Sequence, residues 1–150
     1  MDSSFFELFH SRSFWSSFWA WLVAQLCKML IGLIGSRRLD FRYLVSLGGM
    51  PSAHSAMASG LAVSIGLDAG FGSPVFVTTL AFALIVMFDA STVRRAAGHQ
   101  ARLLNQMVEE LLKDHKLSEQ RLVEFLGHTP IEVFMGMLLG IFMALLVNAS

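Results

Sequence analysis

Two residues near the C-terminal end of the chain have the types and spacing of a catalytic pair. His128 and Glu132 are four positions apart, so a helix that included both would place them on one face. A carboxylate in that position can hold one imidazole nitrogen protonated and leave the other as a nucleophile. A purely structural ion pair between positions i and i+4 is the alternative interpretation.

A second histidine follows a stretch that has the features of an anion site. Gly48 and Gly49 allow the backbone to approach a ligand closely, and Pro51 suits the first turn of a helix. Backbone N–H groups and the positive end of the helix dipole would then face an anion, to which Ser52 adds a hydroxyl donor. His54 is either part of this site or a histidine whose hydrogen bonds are satisfied within the core.

Basic residues from other parts of the chain complete the candidates for a phosphate site. Lys28 lies within an apolar segment, where an ionised side chain is costly and is a functional candidate by default. Arg38 follows that segment, and Arg94 and Arg95 follow a later one. Alternatively, Lys28 could extend its ammonium group to the membrane surface, and the arginines could be anchors on the cytoplasmic side.

Taken together, these residues suit the transfer of a phosphoryl group. His128 would attack phosphorus, and His54 would protonate the leaving oxygen. Other residues, together with backbone amides, would neutralise the phosphate oxygens. These candidate phosphate-binding residues are Lys28, Arg38, Gly49, Ser52, Arg94 and Arg95. The sequence contains no cluster of carboxylates, so we expect neither a metal nor another cofactor. Asp89 keeps a magnesium-assisted reaction open as an alternative.

The composition indicates that helices in a membrane position these residues. Of the 150 residues, 55% are hydrophobic and 15% are charged, whereas a soluble domain carries about 25% charged residues. The segments that are long and apolar enough, or nearly so, to cross a bilayer are 14–35, 50–67, 71–88 and 131–147. We therefore predict a single all-α domain, a polytopic membrane bundle of about four transmembrane helices over residues 1–150. The second segment is the least apolar, and a partly buried or re-entrant helix is the alternative there.

Charge and cysteine content exclude several classes of protein. The formal net charge is zero, so there is no basic excess to indicate a nucleic-acid partner. Cys27 is the only cysteine, which excludes disulfide scaffolds and cysteine-based metal sites. Membrane lipids are the expected surroundings. The oligomeric state stays open, and a homo-oligomer is among the states that the sequence allows.

The distribution of Lys and Arg predicts how the bundle is oriented. Most of them lie in the stretches 36–46 and 94–129, whereas Arg12 stands on the other side among acidic residues. By the positive-inside rule the two basic stretches are cytoplasmic and both termini are outside. The candidate site residues would then meet at the cytoplasmic face. The stretch 94–129 also repeats apolar residues at helical spacing, which predicts a cytoplasmic amphipathic helix against the mouth of the bundle.

Small residues recur at every fourth position in two of the segments. They are Ser52, Ala56, Gly60 and Ser64 in the second segment, and Gly136, Gly140 and Ala144 in the fourth. Such stripes let helices approach closely in lipid. We interpret them as packing faces rather than as sites.

Four stretches of the chain, in order, carry a resemblance to a known family. They are 36–40 (SRRLD), 48–56 (GGMPSAHSA), 88–95 (FDASTVRR) and 127–133 (GHTPIEV). With them the chain resembles the divergent PAP2 family, also described as acid phosphatase/vanadium-dependent haloperoxidase-related membrane proteins. The resemblance implies the chemistry of the wider PAP2 superfamily, whose members include metal-independent phosphatases with three motifs.

The resemblance also implies roles for individual residues. The residues that would match the three motifs are Lys28 and Arg38 for the first, Pro51, Ser52 and His54 for the second, and Arg94 or Arg95 with His128 and Glu132 for the third. His54 would then be the general acid, His128 the nucleophile and Glu132 the residue that orients it.

The chain departs from the superfamily pattern in its spacing. Lys28 and Arg38 are further apart than is usual, and Ala53 replaces a glycine. Arg95 and His128 are 33 residues apart, although the family pattern places its arginine and histidine close together. His99 is the rival for the third motif, but the residue four positions after it is Leu103 rather than an acid.

These observations lead to one principal hypothesis and two alternatives. We expect an integral protein of a bacterial plasma membrane that hydrolyses a lipid phosphate monoester or diphosphate at the cytoplasmic face. The first alternative is a non-catalytic protein that binds or translocates a lipid phosphate. The second is a haloperoxidase, which would need tightly held vanadate and normally a soluble domain.

Overall fold

The described part of the chain is helical in all of its regular secondary structure. In the computed structural model it comprises residues 6–36, 49–112 and 128–150. A short 3₁₀ turn, Leu8–His10, is followed by the helices α1 (Arg12–Ser36), α2 (Ala53–Ala69), α3 (Pro74–Ser91), α4 (Val93–Leu112) and α5 (Pro130–Ala149). The predicted all-α class is therefore confirmed.

Each of the four predicted apolar segments corresponds to one helix, namely α1, α2, α3 or α5. Within the described residues, three stretches are long and apolar enough to cross a membrane, namely Arg12–Ile34, Pro74–Glu109 and Pro130–Ala149. They contain most of α1, all of α3 and all of α5. Helix α2 is not among them; it has 17 residues and is rich in alanine, serine and glycine. The count of four transmembrane helices thus stays a prediction.

Hydrogen bonds between the helices show that α1, α2, α3 and α5 alternate in direction. At one end of the bundle, Asn148 donates to Ser16 of α1 and Ser64 of α2. At the other end, the Ser52 amide donates to the Glu132 carbonyl, and the His128 amide donates to the Ala90 carbonyl at the end of α3. The start of α1, the end of α2 and the end of α5 therefore lie together.

We name the two ends of this bundle after their polar residues. The histidine end contains Lys28, His54, His128 and Glu132, and the asparagine end contains Ser16, Ser64 and Asn148.

Helix α2 is the centre of the bundle because its small side chains let three neighbours pack against it. It contacts α1, α3 and α5. A side chain at Gly140 would meet Ser59 Oγ and the Ala56 carbonyl, so only hydrogen fits there. The Ser59 hydroxyl donates to the Met137 carbonyl across this contact, at 3.1 Å. The two predicted small-residue stripes are thus confirmed as the α2–α5 packing face.

A serine or threonine caps the start of three helices. Ser52, Ser73 and Thr129 are the N-caps of α2, α3 and α5, and each side chain accepts a hydrogen bond from a backbone amide. A proline follows directly at the start of α3 and α5, where its missing N–H costs nothing. These caps place the residues before α2 and α5 at the histidine end.

The predicted amphipathic helix is present as α4, but it does not pack across the mouth of the bundle. Among the described helices α4 contacts α3 alone. Its apolar side chains, which include Leu103, Leu104, Met107 and Val108, are exposed. The short connection at Thr92 leads directly from α3 into α4, so the helix extends from the bundle. That it is cytoplasmic stays a prediction.

Candidate active site

His128 and Glu132, the pair that the sequence predicts to be catalytic, lie together at the histidine end. His128 Nδ1 lies 3.0 Å from Glu132 Oε2, and the His128 side chain is fully buried. Since an ionised carboxylate only accepts hydrogen bonds, Nδ1 must be the nitrogen that carries the proton. In the neutral ring Nε2 is then the unprotonated nitrogen. The pair therefore has the tautomer that a nucleophilic histidine needs.

The spacing predicts that His128 and Glu132 lie on one face of a helix. The structure instead brings them together through a helix cap. Helix α5 begins at Pro130, so His128 precedes the N-cap residue, Thr129. The Glu132 side chain folds back over the first turn and accepts from the Thr129 amide at 3.0 Å, while Thr129 Oγ1 accepts from the Glu132 amide. This is a capping box. Glu132 Oε2 thus accepts hydrogen bonds from the cap and from His128 Nδ1 at once.

His54 lies beside His128 in the first turn of α2. The centroids of the two rings are 6.3 Å apart, and the ring planes are inclined by 59°. The rings are close enough for one phosphoryl group to contact both. Each histidine comes from a different helix start, and the hydrogen bond from the Ser52 amide to the Glu132 carbonyl holds the two starts together at 2.9 Å.

Lys28 brings a positive charge into the same region from α1. Its side chain is only 4% exposed, and the ammonium group lies within electrostatic reach of the Glu132 carboxylate. Gly49 is adjacent, since a Cβ built on it would lie 4.0 Å from Lys28 Cγ. Gly49 has a φ of 94°, a conformation that favours glycine. Lys28 of the first predicted motif therefore lies beside the stretch that carries the second.

Comparison with known proteins shows the family of the chain. A model of the divergent PAP2 family matches residues 9–143. The chain belongs to the divergent PAP2 family. It is 41% identical over 152 aligned positions to the uncharacterized membrane protein YuiD of Bacillus subtilis (strain 168), an alignment that covers 94% of this chain and 96% of that protein. No solved structure matches the chain.

In this divergent PAP2 protein, the two ends of the long gap in the predicted third motif come near each other. The His128 amide donates to the Ala90 carbonyl at 3.1 Å, so the end of α3 lies against the start of α5. Arg94 and Arg95 follow within the first turn of α4. Their side chains, like the whole of Arg38, lie outside the described residues. Their part in phosphate binding stays a prediction.

The rival histidine is not part of the cluster. His99 is exposed on α4, and that helix contacts none of the described helices except α3. The structure therefore brings His128, rather than His99, next to His54 and Lys28.

Ser52 differs from its predicted use, because its polar groups already have structural partners. Its amide donates to the Glu132 carbonyl, and its Oγ accepts from the Ser55 amide and, at 3.0 Å, from the Ser55 hydroxyl. The side chain is completely buried. We therefore assign Ser52 to capping α2 and joining it to α5. A phosphate contact would require the remaining hydrogen of its hydroxyl group.

Sequence reasoning missed two contributors to the site. Thr129 fixes Glu132 through the capping box, and the Thr-x-x-Glu pattern could have revealed it. The Ala90 carbonyl has no signal in the sequence, because any residue could supply it. Within ranges 6–36, 49–112 and 128–150, no group of three or more His, Cys, Asp or Glu side chains could hold a metal ion.

Proposed function

We propose that this protein is an integral membrane phosphatase that hydrolyses a lipid phosphate monoester or diphosphate, with His128 as the nucleophile. The observation that carries the proposal is the buried hydrogen bond between His128 Nδ1 and Glu132 Oε2, beside the ring of His54. Membership of the divergent PAP2 family supports a phosphatase-related function.

The reaction proceeds in two displacements. His128 Nε2 attacks phosphorus while the bond from phosphorus to the leaving oxygen breaks, and protonated His54 gives its proton to that oxygen. The products of this step are the alcohol, or a shorter phosphate, and a phosphohistidine. A water molecule then attacks the phosphohistidine, and His54 accepts the proton of that water. Inorganic phosphate leaves, and both histidines return to their starting states.

Glu132 acts through His128 and is a positioning residue. It holds the proton on Nδ1, which directs Nε2 towards phosphorus, and its negative charge stabilises the positive ring that forms on attack. Lys28 and the N–H groups near Gly49 are the described groups available to the phosphate oxygens. Arg38, Arg94 and Arg95 are the arginines that we expect to add to them.

The site lies where a membrane amphiphile would present its phosphate. Helices α1, α3 and α5 are apolar enough to cross a bilayer, and α2 runs among them with its small residues facing protein. With α2 as a fourth crossing, the number of crossings would be even, as the lysine and arginine distribution predicts when the histidine end is in the cytoplasm and both termini are outside. A phosphate at that boundary can be reached while its hydrocarbon chain stays in lipid.

A second function is favoured by the burial of the nucleophile. His128 has no exposed surface, so the protein would have to open for a phosphate to reach Nε2. A protein that binds or translocates a lipid phosphate without hydrolysing it would need access to Lys28 and the backbone groups near Gly49, but not to Nε2 of His128.

The experiment that tests the proposal is a phosphate-release assay on the purified protein in lipid vesicles. The substrates are phosphatidate, phosphatidylglycerophosphate and an isoprenoid mono- and diphosphate, with and without vanadate. We expect release from at least one of them, inhibition by vanadate, and a loss of at least about 10³-fold in His128→Ala. His54→Ala should lose about 10²- to 10⁴-fold, as expected for a general acid.

His99→Ala is the matched control, because it removes a histidine that is exposed and lies on α4. It should release phosphate at the wild-type rate. Full activity in His128→Ala would show that the nucleophile is assigned wrongly. Wild-type protein that binds lipid phosphate vesicles but releases no phosphate, and loses that binding in Lys28→Ala, would favour the non-catalytic function.

A further inference from the structure

An apolar groove of about 240 Å³ runs between α2 and α3 and has His54 at one end. Its lining consists of His54, Met57, Ala58, Leu61, Phe82 and Val86. His54 is the one lining residue with an ionisable side chain; the others are aliphatic, thioether or aromatic. The surface of the groove is almost entirely apolar, and the groove ends against the ring of His54, a residue of the site described above.

The groove exists because the two helices meet through alanines. Ala58, Ala62 and Ala83 form a buried cluster between α2 and α3, with Val86 packed against it. These alanines form the floor of the groove. Larger residues flank them, and Met57 and Phe82 are 47% and 58% exposed. Alanine at the floor and long side chains at the rim leave a channel open to the surrounding lipid.

The direction of the groove follows from the two helices that form it. His54 and Leu61 are seven residues apart on α2, which is roughly 10 Å along a helix. Helix α3 runs in the opposite direction, and Ala90 at its end contacts His128. Val86 is therefore nearer to the histidines than Phe82 is. The groove begins at the site and leads along the helices towards the middle of the bundle.

We propose that this groove holds the hydrocarbon chain of the lipid phosphate on which His128 and His54 act. The inference rests on the proposed function and adds where the chain of the substrate lies. A chain that enters lipid from a headgroup at the histidine end runs in the same direction as the groove. An amphiphile with its phosphate at one end of an apolar chain matches an apolar groove that ends at a histidine of the site.

The groove orients the substrate more than it attracts it. A chain that moves from the bilayer into the groove exchanges one apolar medium for another, so little hydrophobic free energy is gained. What the groove supplies is position, since a chain fixed between α2 and α3 holds the phosphate beside the two rings. Ala58, at the floor, is therefore the residue that should determine which chains are accepted.

The test is the preference of the enzyme for a long-chain over a short-chain substrate. Ala58→Phe fills the floor, and we expect the ratio of kcat/KM for a long-chain lipid phosphate to that for a water-soluble short-chain phosphate to fall at least tenfold. Leu61→Trp obstructs the groove from a partly exposed position, and it keeps the test valid where Ala58→Phe does not fold. Leu84→Phe, on the lipid-facing side of α3, is the matched control and should keep the wild-type ratio. An unchanged ratio in both groove variants overturns the proposal.

Photocrosslinking gives a second measurement that does not depend on hydrolysis. A lipid phosphate with a diazirine in its chain should label Met57, Leu61 or Phe82 in wild-type protein, and this labelling should fall in Leu61→Trp. Labels confined to α1 or α5, in protein that releases phosphate, overturn the groove and leave the proposed function standing. Labels in the groove, in protein that releases no phosphate from any substrate, support the chain site and count against the proposed hydrolysis.

Discussion

The two ends of the bundle both bury polar side chains, yet they do so with different chemistry. At the asparagine end, Asn148 Nδ2 donates to the Ala144 carbonyl at 2.7 Å and to Ser64 Oγ at 2.9 Å. These partners of Asn148 are neutral. At the histidine end a lysine, a glutamate and two histidines are gathered at the starts of α2 and α5 and on α1.

Burial of polar groups in a membrane bundle is therefore not in itself a sign of a functional site. Neutral hydrogen bonds between helices are a normal means of packing in lipid. Ionisable groups are costly there and need a partner or a function. The asparagine end also has an open cavity of about 300 Å³ with Arg12 and Asp68 in its lining, but both of these side chains are exposed. They can keep their hydration.

The largest effect that separates the two ends is expected from Glu132→Gln. The amide can still cap α5, but it can present an N–H group to His128 Nδ1 and so favour the wrong tautomer. We expect phosphate release to fall by about 10²-fold or more, with little change in stability. The measurement is the rate of phosphate release beside a thermal unfolding curve. Activity within twofold of wild type would mean that the pair is only a structural ion pair.

Gly140→Ala tests the packing face that joins the two ends. The added methyl group would meet Ser59 Oγ and the Ala56 carbonyl, so α5 would have to move away from α2. We expect a loss of about 1–3 kcal/mol in the free energy of unfolding. Labelling of Cys27, which is partly buried in α1, can report unfolding. Gly72→Ala is the control, because a Cβ there meets nothing within 4 Å. Equal stability of the two variants would contradict the close contact.

Asn148→Ala should affect stability but not chemistry. It removes the hydrogen bonds to Ser64 and to the Ala144 carbonyl, and we expect a loss of about 1 kcal/mol in the free energy of unfolding. Phosphate release should stay within about twofold of wild type. A large loss of activity with an unchanged unfolding curve would show that the asparagine end also takes part in function.

The smallest effect is expected from Ser13→Ala. Ser13 Oγ donates to Asp68 Oδ2 at 3.3 Å in an exposed position, where water can replace the bond. We expect a change below about 0.5 kcal/mol in the free energy of unfolding and none in phosphate release. A loss as large as that of Asn148→Ala would mean that the rim of this end is less hydrated than its exposure indicates.

Much of the fold could be predicted because lipid imposes strong constraints on sequence. The length of the apolar segments was enough to locate α1, α3 and α5. The small residues of α2 and α5 identified the face through which these two helices pack against each other. Helix α2 was the least certain, because a helix surrounded by protein does not need apolar side chains. The packing of α4 could not be predicted. An amphipathic pattern indicates that one face of a helix is apolar, but it does not indicate what packs against that face.

The sequence predicted which of the described polar residues lie together at the histidine end, and it predicted their geometry less well. His128, Glu132, His54 and Lys28 meet as expected. The i,i+4 spacing correctly paired His128 with Glu132, but it assumed one continuous helix, whereas Pro130 starts α5 two residues after His128. Ser52 was predicted to serve a phosphate, although its amide and hydroxyl groups serve the helix starts.

The sequence by itself determined which residue types enter the membrane, because an ionisable side chain within an apolar segment stands out in composition alone. Only the tertiary structure decided how they meet. Arg95 and His128 are 33 residues apart, and a backbone hydrogen bond from His128 to Ala90 brings the end of α3, shortly before Arg95, to His128. A bond between backbone groups leaves no trace in residue identity. The same holds for the polar clusters at the two ends. Their difference lies in the hydrogen-bond and charge partners that helix packing places beside each side chain.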